Sequence, residues 1–141
     1  NNIISFLNKC QNKSGGYAGG PGQYSHILTS YAAIMALLTI GNEEAYKSID
    51  RQSFYKFLMR QKMNDGSYSC HDDGEIDIRA IYCGLSCAAI LNILDDKLVN
   101  NTLKWIEKCQ TYQGGFSQEP YDEAHGGYAY CGVASLVIIR A

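Results

Sequence analysis

The chain carries no surplus of charge of either sign. Its 12 basic and 14 acidic residues leave a net charge of −2, and only 18% of its 141 residues are charged. A nucleic-acid-binding surface needs clustered Lys and Arg, and no basic stripe occurs. A disordered chain needs low hydrophobicity with high charge, whereas 46% of this one is apolar. Long apolar runs are missing too. Runs such as Val133 to Ile139 are far short of the roughly 20 residues that cross a bilayer, so no transmembrane segment is expected. No cationic leader precedes an apolar stretch, which argues against a secretion signal. The first residue is Asn1 rather than methionine, and the chain stops at Arg140-Ala141 straight after a helical pattern without a stop signal. It reads as the middle of a larger protein.

Six cysteines (Cys10, Cys70, Cys83, Cys87, Cys109, Cys131) could in principle form a disulfide framework. Their placement points the other way. Cys83, Cys87 and Cys131 sit in apolar helical runs, where a free thiol behaves as a small hydrophobe. Cys10 and Cys109 occupy one place in two copies of a repeat. Reduced cysteines and a cytoplasmic location are expected.

That repeat carries the architecture. Gln11-Asn-Lys-Ser-Gly-Gly-Tyr17, Gln61-Lys-Met-Asn-Asp-Gly-Ser-Tyr68 and Gln110-Thr-Tyr-Gln-Gly-Gly-Phe116 place their glutamines 50 and 49 residues apart. Each copy follows a short amphipathic stretch and precedes a long apolar one. A period of this length marks stacked helical hairpins, none of which buries its apolar face alone. Six helices in three pairs follow: about 3–10, 50–61 and 98–109 as first members, and 25–40, 76–93 and 124–140 as second members. Asp50 and Asn100 or Asn101 are the expected N-caps. The second helices are apolar nearly all round, with Ala32, Ala33, Gly84, Ala88, Gly132 and Ala134 allowing close contact. They should form a buried inner layer. Gly15-Gly16 and Gly114-Gly115 should supply positive-φ turns, hydrogen-bonded by the three glutamines.

Function is then sought in what the repeats do not share. Gly20-Pro-Gly-Gln-Tyr-Ser-His26, Gly74-Glu-Ile-Asp-Ile-Arg79 and Glu123-Ala-His-Gly-Gly-Tyr128 all lie at inner-helix N-termini and should converge on one rim. Helix N-termini favour phosphate; Gly126-Gly127 with His125 and Tyr128 would suit a diphosphate. Glu75, Arg79, Tyr82 and Ser86 have the spacing of one helical stripe. That stripe either faces a wet cavity or is tied internally by a Glu75–Arg79 or Asp77–Arg79 ion pair. His125 alone could equally be a core histidine, and Tyr31, Tyr82 and Tyr130 recur at one repeat position, which also suits a scaffold role.

Pro21-Gly-Gln-Tyr-Ser-His26, Gly74-Glu-Ile-Asp-Ile-Arg-Ala-Ile-Tyr-Cys83 and Glu123-Ala-His-Gly-Gly-Tyr-Ala-Tyr-Cys-Gly132 resemble the β subunits of protein farnesyltransferases, and the similarity runs through essentially the whole chain. The resemblance implies an all-α fold, an α/α barrel (toroid) of six hairpins of which residues 1–141 hold about three. It implies a heterodimer with a helical α subunit, and transfer of a farnesyl group from farnesyl diphosphate to a cysteine near the C-terminus (CaaX) of a protein. It assigns His125, Gly126, Gly127, Tyr128, Arg79, Tyr82 and Cys131 to the farnesyl diphosphate side, and His26, Leu28 and Arg79 to the peptide side. Zinc is the implied cofactor, with magnesium as a companion of the diphosphate. The family's zinc ligands, an Asp-x-Cys pair and a later His, fall beyond Ala141, so no metal ligand is expected within this chain and the fragment alone should be inactive. The repeat by itself is shared with geranylgeranyltransferase β subunits and with terpene cyclases. A cyclase would need an Asp-rich motif, for which Asp72-Asp73 and Asp95-Asp96 are too short. A non-catalytic helical-repeat module that binds peptides is the remaining alternative.

Overall fold

The computed structural model describes residues 2–140; Asn1 and Ala141, the expected domain's two ends, lie outside the described residues. Eight helices follow in order: α1 (Asn2–Cys10), α2 (Ile27–Ile40), α3 (Glu43–Ser48), α4 (Arg51–Gln61), α5 (Ile78–Ile90), α6 (Asp96–Val99), α7 (Thr102–Lys108) and α8 (Gly126–Arg140). Between them, β structure among the described residues is confined to isolated bridges in loops. The three expected hairpins are α1–α2, α4–α5 and α7–α8. The short α3, absent from the six-helix expectation, leads into the second hairpin, and α6 leads into the third.

The repeat motif is one hydrogen-bonded loop built three times. Gly15 N donates to Asn12 O (2.9 Å), Gly66 N to Met63 O (3.1 Å) and Gly114 N to Thr111 O (2.9 Å). Bridges Gln11–Tyr17, Lys62–Tyr68 and Gln110–Phe116 then close each loop. These bonds shift the expected register. Ala18 N, Ser69 N and Ser117 N donate to Cys10, Gln61 and Cys109 carbonyls at 2.9, 3.0 and 2.9 Å, so Gln61 matches the two cysteines and Lys62 matches the two glutamines. The backbone, not the glutamine, sets the repeat.

The glutamines therefore do not share one role. With its amide oriented to satisfy both atoms, Gln11 accepts from Tyr17 Oη (2.6 Å) and Asp50 N (3.1 Å) and donates to Ser48 O (3.2 Å). It ties the first loop to the start of the next outer helix. Lys62 does the same one hairpin on, its Nζ donating to Asn100 O (2.8 Å) and Thr102 Oγ1 (2.9 Å). Gln61 instead donates to Asp72 and accepts from Ser69 Oγ. Gln110 is exposed.

Positive φ is needed at Gly15, Gly16, Gly66 and Gly114. Gly115 is not among them; its constraint is space, because a Cβ there would lie 2.9 Å from the Cβ of Ala124. Asp50 caps α4 as expected, accepting from Ser53 N at 3.0 Å. The expected third outer helix is broken into α6 and α7 at Asn101, whose φ is 63°. Asn101 makes no side-chain cap bond and donates to Asn64 O at 3.1 Å instead.

The inner-layer expectation holds for two hairpins and fails for the third. Nine of the 13 residues of α5 are buried, against four of 11 in α4; α2 buries five of 14 and α1 two of nine. In the third pair α7 buries three of seven and α8 only three of 15. The reason is position in the stack. Helix α5 packs on α2 on one side and on α8 on the other. Ile34 and Leu85 are 0% exposed, while Val133, at the same repeat position in α8, is 53% exposed. Apolarity on every face gives burial only where neighbours exist.

Candidate functional site

The rim forms because each inner helix begins with the same backbone pattern. His26 N, Asp77 N and His125 N donate to the carbonyls of Tyr17, Tyr68 and Phe116 at 3.1, 3.4 and 3.0 Å. Each of these three residues then caps its helix by accepting from the N–H two residues on. His26 Nδ1 accepts from Leu28 N (3.1 Å), Asp77 Oδ1 from Arg79 N (2.7 Å), and His125 Nδ1 from Gly127 N (3.0 Å). The next N–H along crosses between hairpins: Ile27 N donates to Cys70 O (2.8 Å) and Ile78 N to Gln118 O (2.9 Å). The inner-helix N-termini are thereby brought along one edge, as the motif spacing implied. Backbone bonds rather than side chains do this.

Capping has a chemical consequence for the two imidazoles. A backbone N–H can only donate, so Nδ1 of His26 and of His125 must be unprotonated; in the neutral ring the proton sits on Nε2. His125 is exposed and so presents an N–H donor at the rim. Capping also overturns part of the sequence reading. The Gly127 N–H is consumed by His125, and Gly126 holds the position whose counterparts bond the neighbouring hairpin. Gly126 contributes open space, since nothing lies within 4 Å of where its Cβ would be, whereas a Cβ at Gly127 would lie 3.2 Å from His125 Nδ1.

Arg79 takes the internal pair with Asp77, not with Glu75. Asp77 is 0% exposed; its Oδ2 accepts from Arg79 Nε at 2.8 Å and also from the terminal nitrogen. This pairing is the first cause that holds the guanidinium well above its ordinary pKa. The Arg79 side chain is nevertheless 43% exposed, and its Cζ lies 5.6 Å from the centroid of the Tyr128 ring. Tyr128 Oη donates to Gln118 Oε1 at 3.1 Å. The four-residue stripe reduces to Arg79 and Tyr82. Glu75 precedes the helix, and Ser86 is buried with its hydroxyl turned to the Tyr82 carbonyl. Cys131 is buried, 8% exposed.

Beside Arg79 the inner helices present a row of tyrosines. Tyr82 Oη lies 3.5 Å from Tyr31 Oη and 3.2 Å from Tyr130 Oη, with ring centroids 5.7 and 5.3 Å apart. The aromatic rings make a wall suited to an apolar chain, with hydroxyls linked along it.

A second cluster escaped the sequence reading. The His26 and His71 rings lie 5.4 Å apart, and His71 Nε2 is 3.5 Å from Glu75 Oε2. Ligand atoms of His26, Cys70 and Glu75 come within 4.8 Å of one another. The only sequence signal was that Cys70 and His71 replace the Gly19-Gly20 of the first repeat. As folded, this is a poor metal site. Nδ1 of His26 caps α2, so Nε2 carries a proton, and burial, reinforced by Glu75 and Asp77, pushes the Cys70 thiol up to about 12. Burial also lowers the His26 pKa, with His71 and Arg79 adding to the shift. These three residues do not fit the zinc that the resemblance implies.

Known proteins resemble this chain in sequence and in fold. The family model for the prenyltransferase alpha-alpha toroid domain matches residues 1–141. The chain is 51% identical over 98% of its length to the protein farnesyltransferase subunit beta of Pisum sativum, covering 33% of that protein. It is 34% identical over 79% of its length to the geranylgeranyl transferase type-1 subunit beta of Arabidopsis thaliana, covering 30% of it. The chain thus spans about a third of each relative. Among solved structures, Candida albicans protein geranylgeranyltransferase-I complexed with GGPP superposes with a TM-score of 0.80 at 18% identity, over 96% of this chain and 42% of that one; this likeness concerns the fold. The chain belongs to the prenyltransferase alpha-alpha toroid family.

Proposed function

We propose that this chain is the central part of a protein farnesyltransferase β subunit, and that its rim holds the two substrates of farnesyl transfer. The carrying observation is the line of capping residues: His26, the Asp77–Arg79 pair and His125 stand along one edge of a tyrosine wall. The greater identity to a farnesyl enzyme than to a geranylgeranyl enzyme, 51% against 34%, favours the 15-carbon donor.

In this reading His125 Nε2–H and the Arg79 guanidinium take the diphosphate of farnesyl diphosphate, with Gly126, Gly127 and Tyr128 bounding its seat. Tyr82 and its neighbours line the isoprenoid. His26, Leu28 and Arg79 face the C-terminal end of a CaaX protein. As the carbon–oxygen bond of the diphosphate breaks, negative charge grows on the leaving oxygens, and donors already aimed at them lower the barrier. The partner is an α subunit, and the location is cytoplasmic. Zinc, whose ligands would lie outside this chain, would lower the pKa of the acceptor cysteine so that its thiolate is available at neutral pH, and magnesium would accompany the diphosphate.

The test is His125→Ala in the complete heterodimer. Loss of a hydrogen bond to a charged group costs about 1–3 kcal/mol, so farnesyl diphosphate affinity should fall by roughly that amount while the peptide Michaelis constant moves little. Unchanged diphosphate affinity would remove His125 from the site.

A further inference from the structure

We infer that Asp77 is a positioning residue: its second carboxylate oxygen aims the Arg79 guanidinium at an oxyanion of the substrate, either the diphosphate or the peptide carboxylate. The inference rests on the proposed role of Arg79 and goes one residue deeper. Capping alone needs one acceptor atom, and histidine supplies it at the other two inner helices, through His26 and His125. Only the middle helix is capped by a carboxylate. One of its oxygens does the shared work, accepting from Arg79 N at 2.7 Å. The other accepts from Arg79 Nε at 2.8 Å and from the terminal nitrogen.

The carboxylate is fully buried, and the guanidinium is partly exposed. A buried charge is tolerated when it is paired and hydrogen-bonded, so Asp77 is held in place by the interior and Arg79 is held by Asp77. The guanidinium carbon also lies 5.6 Å from the centroid of the Tyr128 ring, which belongs to the next inner helix. Arginine has five N–H donors in a planar fork. Asp77 engages two, and the other three have no acceptor among the described residues. With the side chain 43% exposed, those three are left for an outside acceptor, and a guanidinium fixed in advance by Asp77 lowers the entropic cost of binding an oxyanion.

The experiment compares Asp77→Asn, Asp77→His and Arg79→Ala, singly and with Arg79→Ala combined with each Asp77 variant, in the complete heterodimer. Asparagine keeps a capping oxygen, and histidine is the residue that caps the other two inner helices, so a folding failure of one variant leaves the other to decide. Both should raise the Michaelis constant for one substrate by about tenfold or more, the size expected for a bond to a charged group, with a smaller change in kcat. The substrate affected tells diphosphate from carboxylate. On the Arg79→Ala background the Asp77 substitutions should add nothing. Full additivity, or wild-type Michaelis constants in the Asp77 variants while Arg79→Ala raises one, would overturn the positioning role and leave the proposed function standing. Wild-type constants for Arg79→Ala itself would remove Arg79 from the site, and this inference with it.

Discussion

At the scale of single residues, the capping histidines link stability to chemistry. His26 is uncharged in its cap, because a proton on Nδ1 would meet the Leu28 N–H head on. Burial, with His71 and Arg79 nearby, lowers its pKa below the ordinary imidazole value, against the opposing pull of Glu75 and Asp77. The sign follows from linkage: between the lowered folded pKa and about 6.5 the unfolded chain binds the extra proton first, so stability rises with pH across that window. The contribution is fully present above it and is lost as pH falls through it. His26→Asn keeps a capping acceptor that cannot charge. Urea unfolding of the complete protein between about pH 5 and pH 7.5 should show a shallower pH slope in the variant. An identical slope would mean that His26 does not titrate in this way.

At the scale of elements, the two joints between hairpins are made by the residues that follow Cys10 and Gln61 in the repeat. Lys62 fills at the second joint the place that Gln11 fills at the first, and its ammonium also sits 5.0 Å above the Tyr68 ring centroid. Desolvation pushes its pKa down to about 8. With a lowered folded pKa, the unfolded state binds more protons between about 8 and the ordinary lysine value, so Lys62 makes stability rise with pH over that interval. Lys62→Gln, which installs the side chain that Gln11 supplies at the first joint, keeps a donor for Asn100 O and carries no charge to desolvate. Melting temperatures should match or exceed wild type at pH 7, and the rise with alkaline pH should flatten. A clear loss of stability at pH 7 would show that the ammonium's bonds to Asn100 and Thr102 and its contact with Tyr68 outweigh its desolvation.

For the whole molecule, the stack has one core that runs from α1 to α8, and all six cysteines belong to it, each free and none more than 8% exposed. Burial raises the Cys83 and Cys109 thiols to about 12, and the thiolate is the reactive form. In the native complete protein these six should resist alkylation, and in denaturant without reductant all six should be modified, as read by peptide mapping. Fewer than six modified would reveal a disulfide where the fold has free thiols. No helix among the described residues is long and apolar enough to cross a membrane.

The repeated loop, the apolar inner helices, the free cysteines and the three rim segments were legible in sequence, because each depends on spacing or composition local to one hairpin. The family was legible through the blocks around His26, Arg79 and His125. Tertiary structure decided what depends on two hairpins at once. The register of the second loop turned on backbone bonds that treat Gln61 like Cys10. The exposure of α8 turned on whether a neighbour lies against it, which an apolar pattern cannot encode. The loss of the Gly127 N–H to His125, and the choice of Asp77 over Glu75 as the partner of Arg79, turned on where helices α5 and α8 begin. Two residues' difference in a helix start exchanges a cap for a stripe, and hydrophobic periodicity does not resolve that difference.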